Sequence, residues 1–232
     1  MNVAVIQFPG SNCDRDAYRA CIGPLGVESA LVWHKETSLD GFDAVILPGG
    51  FSYGDYLRCG AIARFSPVMA AVQEFANGGG SVLGICNGFQ ILCECGLLPG
   101  ALLRNDCLKF ICRDQCLVVE DSNDAFCRDT LGEKVVIPIA HGEGNYRIDE
   151  DGLAKLEENK QILFRYSHPD ADFEGDVNPN GSVACIAGIR NEAGNVYGMM
   201  PHPERVVEDF HANQDGIRIL DAFLFPGGKA AS

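Results

Sequence analysis

Short unbroken apolar runs alternate with stretches of helical period over the first hundred residues of this chain. Asn2–Gln7 and Ala44–Leu47 read as strands buried on both faces. Turn-forming residues end each run: Pro9-Gly10-Ser11-Asn12 after the first, Pro48-Gly49-Gly50-Phe51-Ser52-Tyr53-Gly54 after the second. Helical spacing runs from about Asp14 to Ile22. It returns at Ser66-Pro67, an N-cap followed by a first-position proline, and continues through Val68, Val72, Phe75 and Ala76 to Asn77-Gly78-Gly79-Gly80. A third run, Val82, Leu83 and Ile85, passes straight into a helix carrying Phe89, Ile91 and Leu92, which stops at Gly96 with Pro99 beyond. This alternation predicts an α/β fold with a parallel sheet covered on both faces.

The rhythm weakens from about Leu102 to Asp176. Short strands are predicted at Leu117–Val119, Val135–Ile139 and Ile162–Tyr166, and Asp170–Asn180 reads as an acidic surface loop. Ala184–Arg190 and Val196–Met200 flank Asn191-Glu192-Ala193-Gly194-Asn195 and predict a hairpin. Ile217, Leu220 and Leu224 mark a closing helix stopped by Pro226-Gly227-Gly228. Neither an internal repeat nor a linker is visible, so the expectation is one domain over residues 1–228 with a tail at 229–232.

Composition narrows the function classes. A net charge of -14 argues against a nucleic-acid ligand, whose phosphates demand a basic face. No apolar run approaches membrane-spanning length, and Met1-Asn2-Val3-Ala4-Val5-Ile6-Gln7-Phe8 lacks the basic start of a secretory signal. Eleven cysteines, an odd number in such a chain, fit free thiols in a reducing cytoplasm better than a disulfide framework. Cys107, Cys112, Cys116 and Cys127 lack the close-pair spacing of a zinc cluster, so no metal site is expected. Cys93 and Cys95 read as core filling.

Cys86 stands apart from the other ten. It lies at a strand-to-helix junction with Gly84 and Gly88 two residues to either side, the arrangement of a nucleophile elbow. The turn lifts the thiol, and the free amides and dipole of the following helix favour the thiolate. Most cysteines are small core hydrophobes, so the assignment also needs a base. The chain has five histidines, and one of them comes with its own acid. In Met199-Met200-Pro201-His202-Pro203-Glu204-Arg205, the prolines force His202 into extended backbone, where residues two apart project to one side. Glu204 is therefore expected to reach the imidazole. Alone, His202 would be a loop histidine and Glu204 a solvated carboxylate; with the elbow, Cys86, His202 and Glu204 form a candidate catalytic triad. His34 and His211 are read as surface residues, and His168 as solvated in the acidic loop.

An oxyanion hole requires backbone donors beside the nucleophile. The amide of Asn87 is one candidate, and Gly50, with Gly49 as alternative, is the second. A plain turn at Pro48-Gly49-Gly50 competes with that role.

Gly84-Ile85-Cys86-Asn87-Gly88-Phe89-Gln90 and His202-Pro203-Glu204 together resemble the class I, triad-type glutamine amidotransferases. Gln7-Phe8-Pro9-Gly10-Ser11-Asn12-Cys13-Asp14, Leu47–Asp55, His141-Gly142-Glu143-Gly144 and Asn178-Pro179-Asn180-Gly181-Ser182 extend the resemblance over about residues 3–225. It implies a three-layer, flavodoxin-like fold with a mostly parallel central sheet, and hydrolysis of glutamine to glutamate and ammonia. Gln90, His141 and Gly142 would then hold the glutamine. The resemblance also implies a synthetase partner that receives the ammonia, together with a small accessory subunit. ATP and Mg are expected in that partner, and no cofactor in this chain. The alternatives are another triad-type amidotransferase or thiol hydrolase on this fold and a non-enzymatic binding or redox-sensing protein; the intact His-Pro-Glu weighs against the sensor.

Overall fold

The structure, a computed structural model, describes residues 1–120, 132–170 and 177–225. Residues 171–176 of the acidic loop, Cys127, the helix stop at Pro226 and the tail lie outside the described residues. In chain order the elements are β1 (Asn2–Gln7), α1 (Asp14–Ile22), β2 (Glu28–Trp33), β3 (Ala44–Leu47), α2 (Pro67–Asn77), β4 (Ser81–Ile85), α3 (Asn87–Glu94), β5 (Ala101–Leu103), β6 (Ile111–Val119), β7 (Lys134–His141), β8 (Asn145–Arg147), α4 (Glu150–Glu158), β9 (Ile162–Ser167), β10 (Ile186–Arg190), β11 (Val196–Met199) and α5 (Asp215–Leu224).

Nine strands form one sheet in the order β2-β1-β3-β4-β11-β10-β9-β6-β7, and β5 pairs with β8 in a separate ribbon. The pairings from β2 to β11 are parallel. Those from β11 onward to β7 are antiparallel. The all-apolar strands sit where the pattern puts them: β3 is buried throughout and β1 across Val3–Ile6. On β11, Gly198 leaves room for Phe89 of α3, while its neighbour Tyr197 meets Phe223 of α5 edge-on at 5.9 Å. Successive strand residues face opposite sides, so α3 and α5 cover opposite faces of the sheet. The expected three layers are present.

Ser66 stands at the N-cap of α2 with extended backbone, but its side chain makes no cap bond there. The Ser66 hydroxyl is taken by Tyr53 at 2.8 Å instead. The hairpin between β10 and β11 forms as expected, its turn fastened by Asn191 Oδ1, which accepts from the amides of Asn195 and Val196.

The middle of the chain is more regular than its sequence suggested. β6 and β7 run well beyond the expected Leu117–Val119 and Val135–Ile139 and pair over eight residues. β7 is an edge strand, which is why it tolerates Pro138. It does not stay at the edge of the molecule. It reaches back toward the elbow, so that the carbonyl of Pro138 accepts from the His202 amide at 2.8 Å and Ala140 O lies 3.7 Å from Cys86 Sγ.

Candidate active site

Cys86 follows β4 with φ 49° and ψ -103°, a left-handed conformation that a non-glycine residue adopts only under constraint. Its amide donates to Met199 O of the adjacent β11 at 2.7 Å, and its carbonyl accepts from Gln90 N at 3.1 Å to start α3. Both flanking glycines are sterically required. A Cβ on Gly84 would lie 2.6 Å from the backbone of Gly88, and one on Gly88 would run into the Leu47 carbonyl. The elbow is thus wedged between β3 and α3, with its thiol buried at the mouth of the helix.

His202 is buried, and its Nδ1 lies 2.7 Å from Glu204 Oε1. The contact expected from sequence is present, although its local geometry differs. His202 is non-helical (φ -108°, ψ 83°), but Pro203–Arg205 then forms one tight helical turn, closed by Arg205 N donating to His202 O at 3.2 Å. Glu204 therefore reaches the ring through this turn and not by the alternation of an extended strand. Burial pulls the His202 pKa down, but Glu204, then Cys86 and Cys13, outweigh it and hold the imidazole well above its ordinary value. The other ring nitrogen, Nε2, is buried without a hydrogen bond, as is Glu204 Oε2.

Cys86, His202, Gln90, His141, Gly142 and Gly50 all border one cavity of about 490 Å³. That volume lies within the range of small-molecule sites. Phe51 and Phe110 stack at 6.3 Å on its rim. Gly50 holds φ +133° and forms a bridge with Ser11, and a Cβ on it would lie 2.7 Å from Asn12 N. Gly49 lies beneath the His202 ring instead. The Pro48-Gly49-Gly50 segment is therefore fastened to the loop after β1.

The Gln90 side chain is spoken for at both ends. Its Nε2 donates to Glu143 O at 2.7 Å, and its Oε1 accepts from Asn87 Nδ2 at 2.9 Å. Asn87 Oδ1 in turn accepts from Ser52 N at 3.2 Å. These two amides clamp the loops after β3 and β7 onto α3. His141 is buried, and burial, then the charge of His202, pushes its pKa down to about 4. At neutral pH it is an uncharged imidazole. Its ring packs on Gly144, and its Nε2 lies 3.4 Å from Asn180 Nδ2.

Several residues of this site were not singled out from sequence. Asn105, fully buried, donates to His141 O and accepts from Gly144 N. Asn180 and Ser182 both bond Gly144 O, which gives the Asn178–Ser182 motif a physical purpose: it fixes the 141–144 segment. Asp55 and Glu143 also line the cavity, and burial and Glu143 raise the Asp55 pKa against the hydrogen bonds of Cys59 and Asn87. Cys13 borders the cavity and accepts from Arg205 Nη2 at 2.8 Å.

Of the remaining histidines, His34 is placed differently from expectation, while His168 and His211 are partly exposed. His34 is buried, not superficial, with its Nδ1 2.8 Å from the Tyr53 hydroxyl. The half-buried His211 accepts from the amides of Val207 and Glu208 through Nδ1, and His168 accepts from Asp170 N. Among the described residues no helix is long and apolar enough to cross a membrane.

Residues 1–217 match the family model of the CobB/CobQ-like glutamine amidotransferase domain. The chain is 58% identical over 225 residues to phosphoribosylformylglycinamidine synthase subunit PurQ of Moorella thermoacetica, covering 97% of this chain and 95% of that protein. It is 55% identical over 221 residues to the subunit of the same name from Salinibacter ruber, covering 95% and 94%. Among solved structures, a chain of PurLQS from Thermotoga maritima superimposes with a TM-score of 0.83 at 44% identity, covering 96% of this chain and 97% of that one. A glutamine amidotransferase of Thermotoga maritima, at 16% identity and a TM-score of 0.56 over 88% of this chain and 76% of that one, shares the fold.

Proposed function

The chain belongs to the CobB/CobQ-like glutamine amidotransferase domain family, and from that premise we infer that it is the glutaminase subunit of a phosphoribosylformylglycinamidine synthase. It hydrolyses glutamine to glutamate and ammonia. A synthetase partner uses that ammonia, with ATP, to amidate formylglycinamide ribonucleotide in purine biosynthesis. The observation that carries the chemistry is the meeting of an elbow cysteine and a buried His202–Glu204 pair at one cavity.

The reaction follows from the placement of these groups. Cys86 Sγ attacks the side-chain amide carbon of glutamine while His202 Nε2 takes the thiol proton. Glu204 holds Nδ1, fixing the ring and stabilising the imidazolium. The oxyanion is met by the Asn87 amide, which as the first helical residue of α3 has no partner within the helix, and by the Gly50 amide. The intermediate collapses, His202 returns the proton to the departing nitrogen, and ammonia leaves a γ-glutamyl thioester on Cys86. Water then attacks the thioester, His202 accepts its proton, and glutamate departs as the thiol is restored. Gln90, His141 and Gly142 shape the wall against which the glutamine lies.

No phosphate-binding loop of the P-loop or dinucleotide type occurs in the sequence: Gly78-Gly79-Gly80 precedes a strand and no lysine follows. ATP and its Mg therefore belong to the synthetase, which a small accessory subunit joins in the complex. The names of the relatives and of the PurLQS structure support this assembly. The test is ammonia release from glutamine by wild type and Cys86→Ala, with a glutamine-analogue alkylator. Activity is expected to vanish in the variant, and the alkylator to label Cys86 before the other ten cysteines. Activity surviving the change, with label spread over several thiols, would refute the mechanism.

A further inference from the structure

Cys13 lies at the start of α1, 189 positions before His202 in sequence, yet its sulfur, a His202 ring nitrogen and a Glu204 carboxylate oxygen all lie within 4.8 Å of one another. All three residues are buried. Cysteine spacing could not reveal this group, because it joins the loop after β1 to the turn after β11. From this juxtaposition we propose that Cys13, His202 and Glu204 form a site for a thiophilic divalent cation of the Zn²⁺ class, whose occupancy switches the glutaminase off.

The donor set is one thiolate, one imidazole and one carboxylate, which suits Zn²⁺ and excludes the hard, oxygen-seeking Mg²⁺ and Ca²⁺. Bonds of about 2.0–2.3 Å to a tetrahedral ion place the donor atoms roughly 3.3–3.8 Å apart, so within a group that spans no more than 4.8 Å the His202–Glu204 pair, 2.7 Å apart, opens to admit the ion. The thiolate and the carboxylate together offset the charge of the ion, and Asp16, 3.9 Å from Arg205, faces the remaining guanidinium charge. Arg205 Nη2 already donates to Cys13 Sγ at 2.8 Å, the kind of outer hydrogen bond that orients a thiolate ligand. Cys13 and His202 both border the cavity, which provides the route of entry. The fourth position is open to water or to Cys86.

The consequence for turnover rests on the glutaminase reading. Coordination through the Glu204-paired nitrogen displaces the Nδ1 proton and, with it, the thiol proton of Cys13. The remaining proton then sits on Nε2, which can no longer accept one from Cys86. Inhibition is reversible, because no covalent bond is made to carbon or between sulfurs.

The experiment titrates Co²⁺ into the full-length chain and follows its thiolate charge-transfer absorption in wild type, Cys13→Ser and Cys86→Ser. A band saturating at one equivalent is expected in wild type and Cys86→Ser, and its loss in Cys13→Ser. A band that persists in Cys13→Ser, that disappears in Cys86→Ser, or that never forms would overturn the proposal. If Cys13→Ser does not fold, alkylation of the wild type followed by mass spectrometry decides. Zn²⁺ must then shield Cys13, and equal labelling with and without the ion overturns the site. These readouts need no turnover, so they separate failure of the metal site from failure of the glutaminase assignment. In the active protein, Zn²⁺ should suppress ammonia release and a chelator should restore it.

Discussion

The imidazole of His202 lies directly against the α-carbon of Gly49: a Cβ at that position would stand 2.6 Å from His202 Cε1 and 3.3 Å from Nδ1. Gly49 is thus the floor on which the proposed general base rests. Gly49→Ala should displace the ring while leaving Cys86, His202 and Glu204 chemically unchanged. A misplacement on the order of 1 Å can cost about 10²-fold in rate, so kcat for glutamine hydrolysis should fall by roughly that factor. Steady-state kinetics beside a circular dichroism spectrum checks this; an alanine variant with wild-type kcat would remove the packing argument.

Glu204 should prove an orienter whose effect is electrostatic. It is the largest of the influences that raise the His202 pKa against burial. In Glu204→Gln the burial cost remains and the main compensation is gone, so the His202 titration should move down. Turnover should fall by about 10²–10⁴-fold, yet remain above that of His202→Ala. Histidine NMR titration and the pH dependence of kcat/KM measure both effects. A Glu204→Gln profile that overlays the wild type would remove Glu204 from the triad.

What could be read from the sequence divides along physical lines. Strands buried on both faces announce themselves as apolar runs, so β1, β3 and β4 were legible to within a residue. β2 escaped because its burial is partial and uneven, as did α4, where only Leu156 is buried. His34 looked superficial between Trp33 and Lys35; the Tyr53 hydroxyl that covers it comes from another loop. The candidate triad was legible because elbow glycines and a His-Pro-Glu turn are local signals. The supports of the site were not, because Asn105, Asn180 and Ser182 act on Gly144 from segments about forty residues away, through contacts with no sequence period.

Gln90 is expected to matter through the loops it ties down. Removing its amide in Gln90→Ala takes the donor from the Glu143 carbonyl and one of two acceptors from Asn87 Nδ2, which keeps Asp55 at 3.3 Å, each lost partner costing about 1–3 kcal/mol. KM for glutamine should rise more than kcat falls, and the urea midpoint should drop. If Gln90→Ala changed neither the midpoint nor KM, the clamp would carry no weight.

His141 sets an acid limit on stability. Its folded pKa of about 4 lies below the ordinary value of 6.5. Between those values the unfolded chain binds a proton that the folded protein refuses, so stability falls as pH falls through the window. The loss reaches about 3 kcal/mol at pH 4 and is absent above pH 7. His141→Gln, which cannot titrate, should flatten this part of the profile. Urea unfolding at pH 7, 6, 5 and 4.5 for both proteins gives the comparison. Parallel curves would show that His141 titrates normally.

The isolated chain should be a weak glutaminase that its synthetase partner switches on. Hydrolysis uncoupled from synthesis wastes glutamine, and the proposed second oxyanion donor, Gly50, is the natural point of control. Gly50 is held by its bridge to Ser11, and the residues just beyond it carry left-handed backbone at Tyr53 (φ 55°) and Asp55 (φ 51°). Such conformations cost on the order of 1–3 kcal/mol each, so a second arrangement of this segment is energetically close. Partner binding can favour it only by the difference in its affinity for the two arrangements. Glutaminase turnover is compared for the chain alone and for the complex loaded with nucleotide substrates, with ammonia replacing glutamine as control. The complex should use either nitrogen source, and the synthetase alone only ammonia. Proline or alanine at Gly50 should abolish the activation and leave ammonia-dependent synthesis intact. A free chain that turns over as fast as the complex would dismiss the switch while leaving Cys86, His202 and Glu204 in their roles.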